Sequence, residues 1–380
     1  MRIAIVAPEF PPEVGGMQTY AAEFAKELAA RRHEVVVFTR PHSTGEMEIP
    51  DVDVRPDLRL SRRRDRMLLK GTQFDVWHVM NAAYAWLALE TSNVVVSVHG
   101  NDFLRPYLPV AMLGLAQSPR LWRISPLVER LDLRLAMWRT RQLVTRALPR
   151  ASVLLTNSKY TEAVLLERYP NCRGLTHAAM VGVGRAFLTT PLSERAVHQT
   201  PRLITVCRLA ERRKNVDRVL RALAALQGTY AFHYTVVGDG QLRTELESLS
   251  RELGLDERVT FTGAVSEAIL RKLLAESDLF VLASGVLPYS HEGFGIAYLE
   301  ASACGTPVLA ARQAGAAEAV EEGVNGYFVD EPSVPNLVNG LMRFLDGEVR
   351  FERAACRDFA RQFSWTRVVD DAVRLYPGRH

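Results

Sequence analysis

Short apolar runs alternate with longer segments of helical character along all 380 residues of the chain. This pattern predicts strands at residues 3–7, 34–39, 76–79, 94–99 and 153–156, and again at 203–207, 234–237, 259–261, 279–282 and 308–309. A helix is predicted at residues 17–32. Because strands that alternate with helices pair in parallel, we expect an α/β fold built on parallel sheets.

The chain is long enough for two domains, each with its own core. A polar stretch at residues 185–201, which contains Pro191 and Pro201, predicts the boundary between them. The four cysteines show neither close pairing nor the spacing of metal ligands, so no disulfide framework is expected.

Glu292 and Glu300 lie eight positions apart around a Gly-Phe-Gly turn. A strand is predicted before them and another after them, with the polar loop 285–295 at the carboxyl end of the first, where α/β sheets bind ligands. A helix beginning near Gly295 would present free amides to a phosphate. Eight helical residues rise roughly 12 Å, so each glutamate could accept from a different pair of hydroxyls, as in a nucleotide sugar. The alternative is ordinary solvated charge.

Arg208 and Lys214 follow the predicted strand 203–207. A bound diphosphate needs fixed positive charge, and an arginine with a lysine on one loop supplies a fork of donors and a point charge. The alternative is a solvated basic turn, since Arg212 and Arg213 lie in the same loop.

Several motifs occur in one order along the chain: Pro8 to Gly16, Arg208 with Lys214, Val237 to Gly240, Phe261 to Val265, Glu292 with Glu300, and Glu321 to Val329. Together they resemble the retaining nucleotide-sugar glycosyltransferases of the family 4 type, which have the GT-B fold. The resemblance covers nearly the whole chain. It implies two Rossmann-like domains that face a central cleft, 1–188 for the acceptor and 189–363 for the nucleotide sugar, with a final helix 364–377 packing back on the first.

The resemblance also implies roles for individual residues. The catalytic residues would be His99, Arg208, Lys214 and Glu292. The donor-binding residues would be Gly16, Asp102, Gly238, Val265, Gly293, Phe294, Gly295, Ile296 and Glu300. In these roles Arg208 and Lys214 hold the diphosphate, Glu292 holds the transferred sugar and Glu300 the ribose. His99 would lie near the reacting carbon, and Asp102 would orient His99 or meet the acceptor.

The implied reaction moves a hexosyl unit from a UDP- or GDP-sugar to a hydroxyl of a glycan or glycolipid, with retention, in bacterial polysaccharide, lipopolysaccharide or glycolipid assembly. No cofactor and no metal are expected, and the pair Asp51-x-Asp53 is interpreted as a chance acidic pair. Where many relatives have Asn-Gly-Val-Asp, this chain has Val181 to Gly184, to which we assign no ligand.

Two other enzyme classes share parts of this pattern. A nucleotide-sugar 2-epimerase has the same architecture but lacks the combined Arg208, Lys214, Glu292 and Glu300 set. An NAD-dependent oxidoreductase requires three spaced glycines at the first strand-helix turn, and Pro8 to Gly16 lacks them.

The net charge is +4, and basic residues are concentrated in the first half, at 59–70 and 120–150. The second stretch has Leu127, Leu131, Leu135 and Trp138 at helical spacing beside Arg130, Arg134, Arg141 and Arg146. Such a stretch either lies on an anionic membrane surface or forms a core helix with a solvated basic back; the sequence leaves both open.

A nucleic-acid partner is not expected, because the arginines lack the interleaved aromatics of a recognisable module and the second half is acidic. Arg2 leads directly into a predicted strand, and no apolar run approaches 18 residues. The expected location is therefore cytoplasmic, on the inner face of the cell membrane if the membrane interpretation holds.

Overall fold

The computed structural model describes residues 1–13, 15–41, 48–112, 126–192 and 200–378, with the backbone alone at 126–129. The chain forms two compact units. Unit 1 comprises Met1–Met180 and Val368–His380, and unit 2 comprises Val181–Arg367. The first segment of unit 1 ends at residue 180, which is eight residues before residue 188, the end of the first domain that the resemblance implied.

Unit 1 contains a seven-stranded parallel sheet in the order β3-β2-β1-β4-β5-β6-β7. Its strands are β1 (Arg2–Val6), β2 (Glu34–Phe38), β3 (Val52–Arg55), β4 (Val76–Val79), β5 (Val94–Val98), β6 (Val153–Thr156) and β7 (Thr176–Ala178). The five predicted strands form its central part and are almost wholly buried, as expected of a sheet covered on both faces. The edge strands β3 and β7 were not predicted, because they are only four and three residues long and partly exposed.

The helices of unit 1 are α1 (Gly16–Ala30), α2 (Arg62–Leu69), α3 (Pro126–Ala147) and α4 (Lys159–Arg168), with a 3-10 segment at Ala82–Leu89. Helix α1 matches the predicted helix to within two residues. The side chain of Ser158 begins α4 by accepting a hydrogen bond from the amide of Thr161, which satisfies one of the unpaired donors at the helix start.

Helix α3 turns to the core a different face from the one that the core-helix alternative required. Leu131, Leu135 and Trp138 are exposed by 63%, 37% and 58%, whereas Ala136 and Thr140 are buried. A core position for the three apolar residues is therefore wrong. Residues 120–125 and the side chain of Leu127 lie outside the described part of the chain.

Unit 2 has a six-stranded parallel sheet in the order β10-β9-β8-β11-β12-β13. Its strands are β8 (Arg202–Val206), β9 (His233–Val237), β10 (Val259–Gly263), β11 (Leu279–Leu282), β12 (Val308–Ala311) and β13 (Gly326–Val329). Its helices are α5 (Arg185–Leu188), α6 (Val216–Leu226), α7 (Arg243–Glu252), α8 (Glu267–Glu276), α9 (Ile296–Ala303), α10 (Val334–Leu345) and α11 (Arg353–Arg361). The predicted pair of Rossmann-like α/β domains is confirmed.

Each sheet reverses its strand order at one point, between β1 and β4 in unit 1 and between β8 and β11 in unit 2. In open α/β sheets, ligands bind outside the carboxyl ends of the strands at this point. The loops that follow β1, β4, β8 and β11 are therefore where a site is expected.

The last helix, α12 (Trp365–Arg374), passes from unit 2 into unit 1. In unit 1 the hydroxyl of Tyr376 lies 2.6 Å from Nδ1 of the buried His78, and Arg31 donates to Asp370. In unit 2 a Cβ on Gly182 would lie 2.4 Å from the ring of Trp365. Gly182, in the segment that departs from the family pattern, therefore permits close packing. No helix in the described residues is long and apolar enough to cross a bilayer.

Candidate functional site

The loop after β8 is fixed to the carboxyl end of β11 by two hydrogen bonds. Residues Arg212–Lys214 form a single 3-10 turn, and Asn215 follows in the left-handed conformation, with φ 53°. The side chain of Asn215 donates to the carbonyl of Ala283 at 2.7 Å, and the amide of Gly285 donates to the carbonyl of Arg213 at 2.7 Å. These bonds hold the basic turn against the loop that carries Glu292.

Glu292 is the centre of a buried cluster of charges. Its Oε2 atom accepts from Lys214 Nζ at 2.5 Å, from Arg213 Nη1 at 3.1 Å and from Ser284 Oγ at 2.9 Å, while the residue is only 7% exposed. Burial raises the pKa of Glu292, but the charges of Lys214 and Arg213 outweigh it and hold the pKa well below its ordinary value. The carboxylate is therefore ionised, and within the described residues its Oε1 atom has no hydrogen-bond partner.

The three basic residues of the turn point in different directions. Arg213 is buried and also forms an ion pair with Glu211 at 2.7 Å. Arg212 is exposed and forms a bidentate ion pair with Glu245. The solvated-turn alternative is thus right for Arg212 and wrong for Arg213 and Lys214. Arg208 is exposed, and it lines one small surface depression together with Lys214, Arg212 and Glu245.

The Gly-Phe-Gly turn brings backbone close to its neighbours. Gly295 has φ 93° and begins helix α9, and a Cβ there would lie 2.3 Å from the ring of Tyr298. A Cβ on Gly315 would lie 2.0 Å from the carbonyl oxygen of Gly293. Phe294 is buried, with its ring centroid 5.5 Å from that of Phe363, so any ligand contact at residues 293–295 is made by backbone.

The helix predicted to begin near Gly295 is confirmed, because α9 begins at Ile296. Glu292 therefore lies in the preceding loop and only Glu300 is helical. The estimate of about 12 Å assumed eight helical residues, so it does not apply to the spacing of the two glutamates, of which the helix contributes about 6 Å between Ile296 and Glu300.

Glu300 differs from Glu292 in that none of the described cations forms an ion pair with it. Its carboxylate has no hydrogen-bond or ion-pair partner among the described residues, although the residue is half-buried. Burial, with a smaller contribution from Glu267, raises the pKa of Glu300 to about 7. A carboxylate that lacks internal donors is available to accept from the hydroxyls of a ligand.

This raised pKa predicts how stability depends on pH. The folded state holds the proton of Glu300 more tightly than the unfolded chain, so the contribution is present below pH 4.5 and is lost as the pH rises to about 7. The free energy of unfolding of Glu300→Gln relative to the wild type should therefore rise between pH 4.5 and about 7. At pH 8 the variant should be more stable by about 1–3 kcal/mol, because solvent access reduces the full effect. Urea unfolding across this range measures it, with the exposed Glu257→Gln as control. A constant difference at every pH would contradict the assignment.

The predicted donor-binding residues Gly238 and Val265 lie at the carboxyl ends of β9 and β10. Gly238 has φ 129°, and a Cβ there would lie 2.0 Å from the carbonyl oxygen of Cys207. Its amide donates to the carbonyl of Gly263 at 2.9 Å, so Gly238 allows close packing of the loop. Val265 is half-buried in the loop between β10 and α8.

In unit 1, His99 follows β5 and has a ring nitrogen without a partner. Its Nε2 atom is buried and has no hydrogen bond within the described residues, and burial lowers the pKa of His99 to about 4. The imidazole is therefore neutral at physiological pH. The ring of Tyr20 meets it edge-on, with centroids 4.5 Å apart. Gly16 is exposed at the start of α1.

Asp102 is buried, and its carboxylate accepts hydrogen bonds from two backbone amides. One carboxylate oxygen accepts from the amide of His99 at 2.9 Å and the other from the amide of Ala82 at 2.8 Å. Burial raises the pKa of Asp102 to about 6. Asp102 thus ties the loop after β5 to the segment after β4, and it positions His99 through the main chain.

Three residues of unit 1 were not predicted. Tyr107 donates to the Oε2 atom of Glu9, and the side chain of Asn81 donates to the same oxygen at 3.1 Å. Glu9 follows β1 and Asn81 follows β4, so both lie where the strand order reverses. The rule that polar residues after neighbouring strand ends converge could have identified Glu9 and Asn81.

The acidic pair Asp51-x-Asp53 has a structural explanation. Asp53 lies on the edge strand β3 and forms an ion pair of 2.6 Å with Arg55, while Asp51 is exposed. Within the described residues, no three histidine, cysteine, aspartate or glutamate side chains converge as metal ligands.

Comparisons with known proteins match both halves of the chain. A family model for glycosyl transferases group 1 matches residues 192–363, and one for glycosyltransferase family 4 matches residues 14–177. The GDP-mannose-dependent alpha-(1-6)-phosphatidylinositol monomannoside mannosyltransferase of Mycobacterium tuberculosis is 25% identical over 413 residues, covering 98% of this chain and all of the relative.

Two further proteins extend the comparison. A lipopolysaccharide core biosynthesis glycosyltransferase of Rhizobium meliloti is 36% identical over 199 residues, which cover 52% of this chain and 54% of the relative. Sucrose-phosphate synthase from Thermosynechococcus elongatus has a similar structure, with a TM-score of 0.73 at 20% identity over 98% of both chains. That structural likeness supports the fold.

Proposed function

The chain belongs to the GT-B glycosyltransferases of the family 4 type, and on this premise we propose that it is a retaining enzyme that moves a hexosyl unit from a UDP- or GDP-sugar to a hydroxyl of a glycan or glycolipid. The observation that carries the proposal is the buried cluster of Lys214, Arg213 and Glu292. It combines a fixed cation for a diphosphate with a fixed carboxylate for sugar hydroxyls, at the point of unit 2 where an α/β sheet binds ligands.

The diphosphate is held by Lys214 and Arg208 in this proposal. An ammonium group has three donors, and the structure gives one of them to Glu292. The remaining donors can reach phosphate oxygens while Glu292 keeps the lysine in place. Arg208, which lines the same surface depression, adds a planar fork that suits phosphate. The chain thereby supplies the charge for which other enzymes use a bound metal.

The two glutamates hold different parts of the donor. Glu292 is ionised and has a free Oε1 atom, so it accepts from hydroxyls of the transferred sugar, with the backbone of residues 293–295 beside it. Glu300 accepts from the ribose, because no donor in the described part of the chain bonds its carboxylate. Gly16, Gly238, Val265, Phe294 and Ile296 contribute backbone or packing contacts to the donor, and Asp102 supports them through His99.

Retention follows when the acceptor attacks from the face that the diphosphate leaves. The acceptor oxygen forms a bond to the anomeric carbon, the bond from that carbon to the phosphate oxygen breaks, and the acceptor proton passes to the departing diphosphate. Lys214 and Arg208 stabilise the charge that develops on the leaving group. The neutral His99 contributes a hydrogen bond near the reacting carbon and does not need to take the proton.

The named relatives support the classes of donor and acceptor. The Mycobacterium tuberculosis relative depends on GDP-mannose and acts on a phosphatidylinositol mannoside, and the Rhizobium meliloti relative belongs to lipopolysaccharide core biosynthesis. We accordingly assign this chain a lipid-linked or polymeric glycan acceptor in bacterial surface assembly, met at the cytoplasmic face of the membrane. The alternative within the fold is a nucleotide-sugar 2-epimerase, which would convert its substrate without an acceptor.

A thermal-shift panel of UDP-, GDP- and ADP-sugars tests the donor assignment. A ligand at 100 times its Kd adds about 2.7 kcal/mol to the free energy of unfolding, so the sugar nucleotide with the correct base should raise Tm clearly above the others. The shift should persist in EDTA. A shift given by NAD and by none of the sugar nucleotides would contradict the proposal, and one that appears only with manganese would contradict its metal independence.

A further inference from the structure

Helix α3 carries an exposed apolar stripe that nothing in the described part of the chain covers. Leu131, Leu135 and Trp138 recur at intervals of four and three residues, which places them on one face of a helix. On the opposite side of the helix Ala136 and Thr140 are buried against the rest of unit 1, and Leu133, one turn before Ala136, is exposed by 44%. We propose that this stripe is a membrane-docking surface, with anionic phospholipid as its partner.

The charges around the stripe select an anionic partner. Between residues 130 and 147 the exposed charged side chains are all arginines, Arg130, Arg134 and Arg146, and the acid in this stretch, Asp132, is buried. Apolar side chains in a row beside arginines are the pattern of a helix that lies in the membrane interface. Tryptophan is enriched at that depth because its ring is apolar and its N–H is polar.

A second basic surface belongs to the same part of unit 1. Helix α2 presents Arg63, Arg64 and Met67 to solvent, with Met67 exposed by 73%. Both α2 and α3 pack against the 3-10 segment Ala82–Leu89, α2 through Arg62 above the ring of Trp86 and α3 along its buried face. Arg63 and Arg64 of α2 add to the positive charge near the stripe on α3. Each basic residue near an anionic membrane strengthens the binding of the protein to it.

The stripe lies in the half of α3 that is farther from the amino ends of the strands. Helix α3 ends at Ala147, six residues before β6 begins at Val153, so its last turns lie near the amino ends and its first turns point away from them. Leu131 to Trp138 occupy its first half and are therefore nearer to the edge where His99 follows β5. If the proposed function holds, docking here brings a lipid-linked acceptor to the edge that carries the acceptor-side residues.

Co-sedimentation with vesicles tests this surface without any nucleotide sugar or acceptor, so its result is independent of the transfer reaction. Vesicles of phosphatidylcholine with phosphatidylglycerol should bind the protein at low salt and release it at high salt, whereas phosphatidylcholine alone should not. Leu135→Ser/Trp138→Ser and Arg130→Gln/Arg134→Gln should each weaken binding by roughly tenfold or more. The matched controls on exposed positions of unit 2, Ile269→Ser and Arg221→Gln/Arg251→Gln, should bind as the wild type does.

Each other outcome overturns the proposal. Absence of binding to anionic vesicles at low salt removes the partner, and unchanged binding by both stripe variants removes the surface. Light scattering adds a third possibility: a dimer that the stripe variants dissociate, while vesicle binding persists, would make a second copy of the chain the occupant. Unchanged Tm of the variants shows that the fold is retained, and donor binding by calorimetry without vesicles tests the transfer function separately.

Discussion

Replacing Lys214 by alanine should lower kcat by about 10²–10³-fold. The ammonium group is the half-buried cation nearest to the Glu292 carboxylate, and in the proposed reaction it meets the charge that develops on the departing diphosphate. Loss of one preorganised donor at such a position costs about 2.7–4 kcal/mol of transition-state stabilisation. Arg208→Ala should have an effect of the same order. Initial rates at saturating donor and acceptor measure both.

The same loop provides a matched control for the Lys214 experiment. Arg212→Ala removes an equal charge two residues away, but Arg212 is exposed and pairs with Glu245 outside the cluster. Its kcat should stay within about twofold of the wild type, because exposed ion pairs contribute little. If Arg212→Ala and Lys214→Ala lowered kcat equally, general positive charge would explain the effect and the diphosphate assignment would be wrong.

Replacing Glu292 by alanine should destabilise unit 2 by about 3–5 kcal/mol, since it leaves Arg213 and Lys214 buried without their shared counter-charge. Glu292→Gln keeps the side-chain volume and the Ser284 contact but loses the charge, so it should be less destabilising while still losing at least tenfold in kcat/KM. Urea unfolding gives the stability difference. Hydrogen exchange should show lost protection in peptides of unit 2 and unchanged protection in unit 1.

The control for Glu292 is Glu245→Gln, which removes the exposed partner of Arg212. Its stability and kcat/KM should remain close to those of the wild type. Loss of protection in both units after Glu292→Ala would mean that the cluster does not act locally, and wild-type stability would mean that the two cations find other partners.

The regular part of the fold was predictable because its signals are local. The central strands are runs of buried apolar residues, and helix α1 follows from periodicity, so residues 2–38 were placed to within two residues. Strands β3 and β7 are short and lie at the sheet edge, where they need no apolar pattern on both faces. Their existence depends on pairing with β2 and β6, which a local pattern does not contain.

The candidate site was predictable only in part, because Lys214 and Glu292 were identified from the sequence whereas Arg213 and Ser284, which also bond Glu292, were not. The sequence contains Arg212, Arg213 and Lys214 in a row, and it cannot tell which of them turns inward. That choice is made by the 3-10 turn and by the left-handed Asn215 bonded to Ala283. The same limit explains helix α3, where apolar spacing alone does not distinguish a core face from an exposed stripe. In the first half of that helix the buried positions are Asp132, Ala136 and Thr140, which are not large apolar residues.

The most direct test of the central claim is a structure of the protein with its sugar nucleotide bound. The account predicts diphosphate oxygens at about 2.7–2.9 Å from Lys214 Nζ and from the guanidinium of Arg208, and a hydroxyl of the transferred sugar on Oε1 of Glu292. A diphosphate bound away from both cations, with Lys214 still paired only to Glu292, would contradict it.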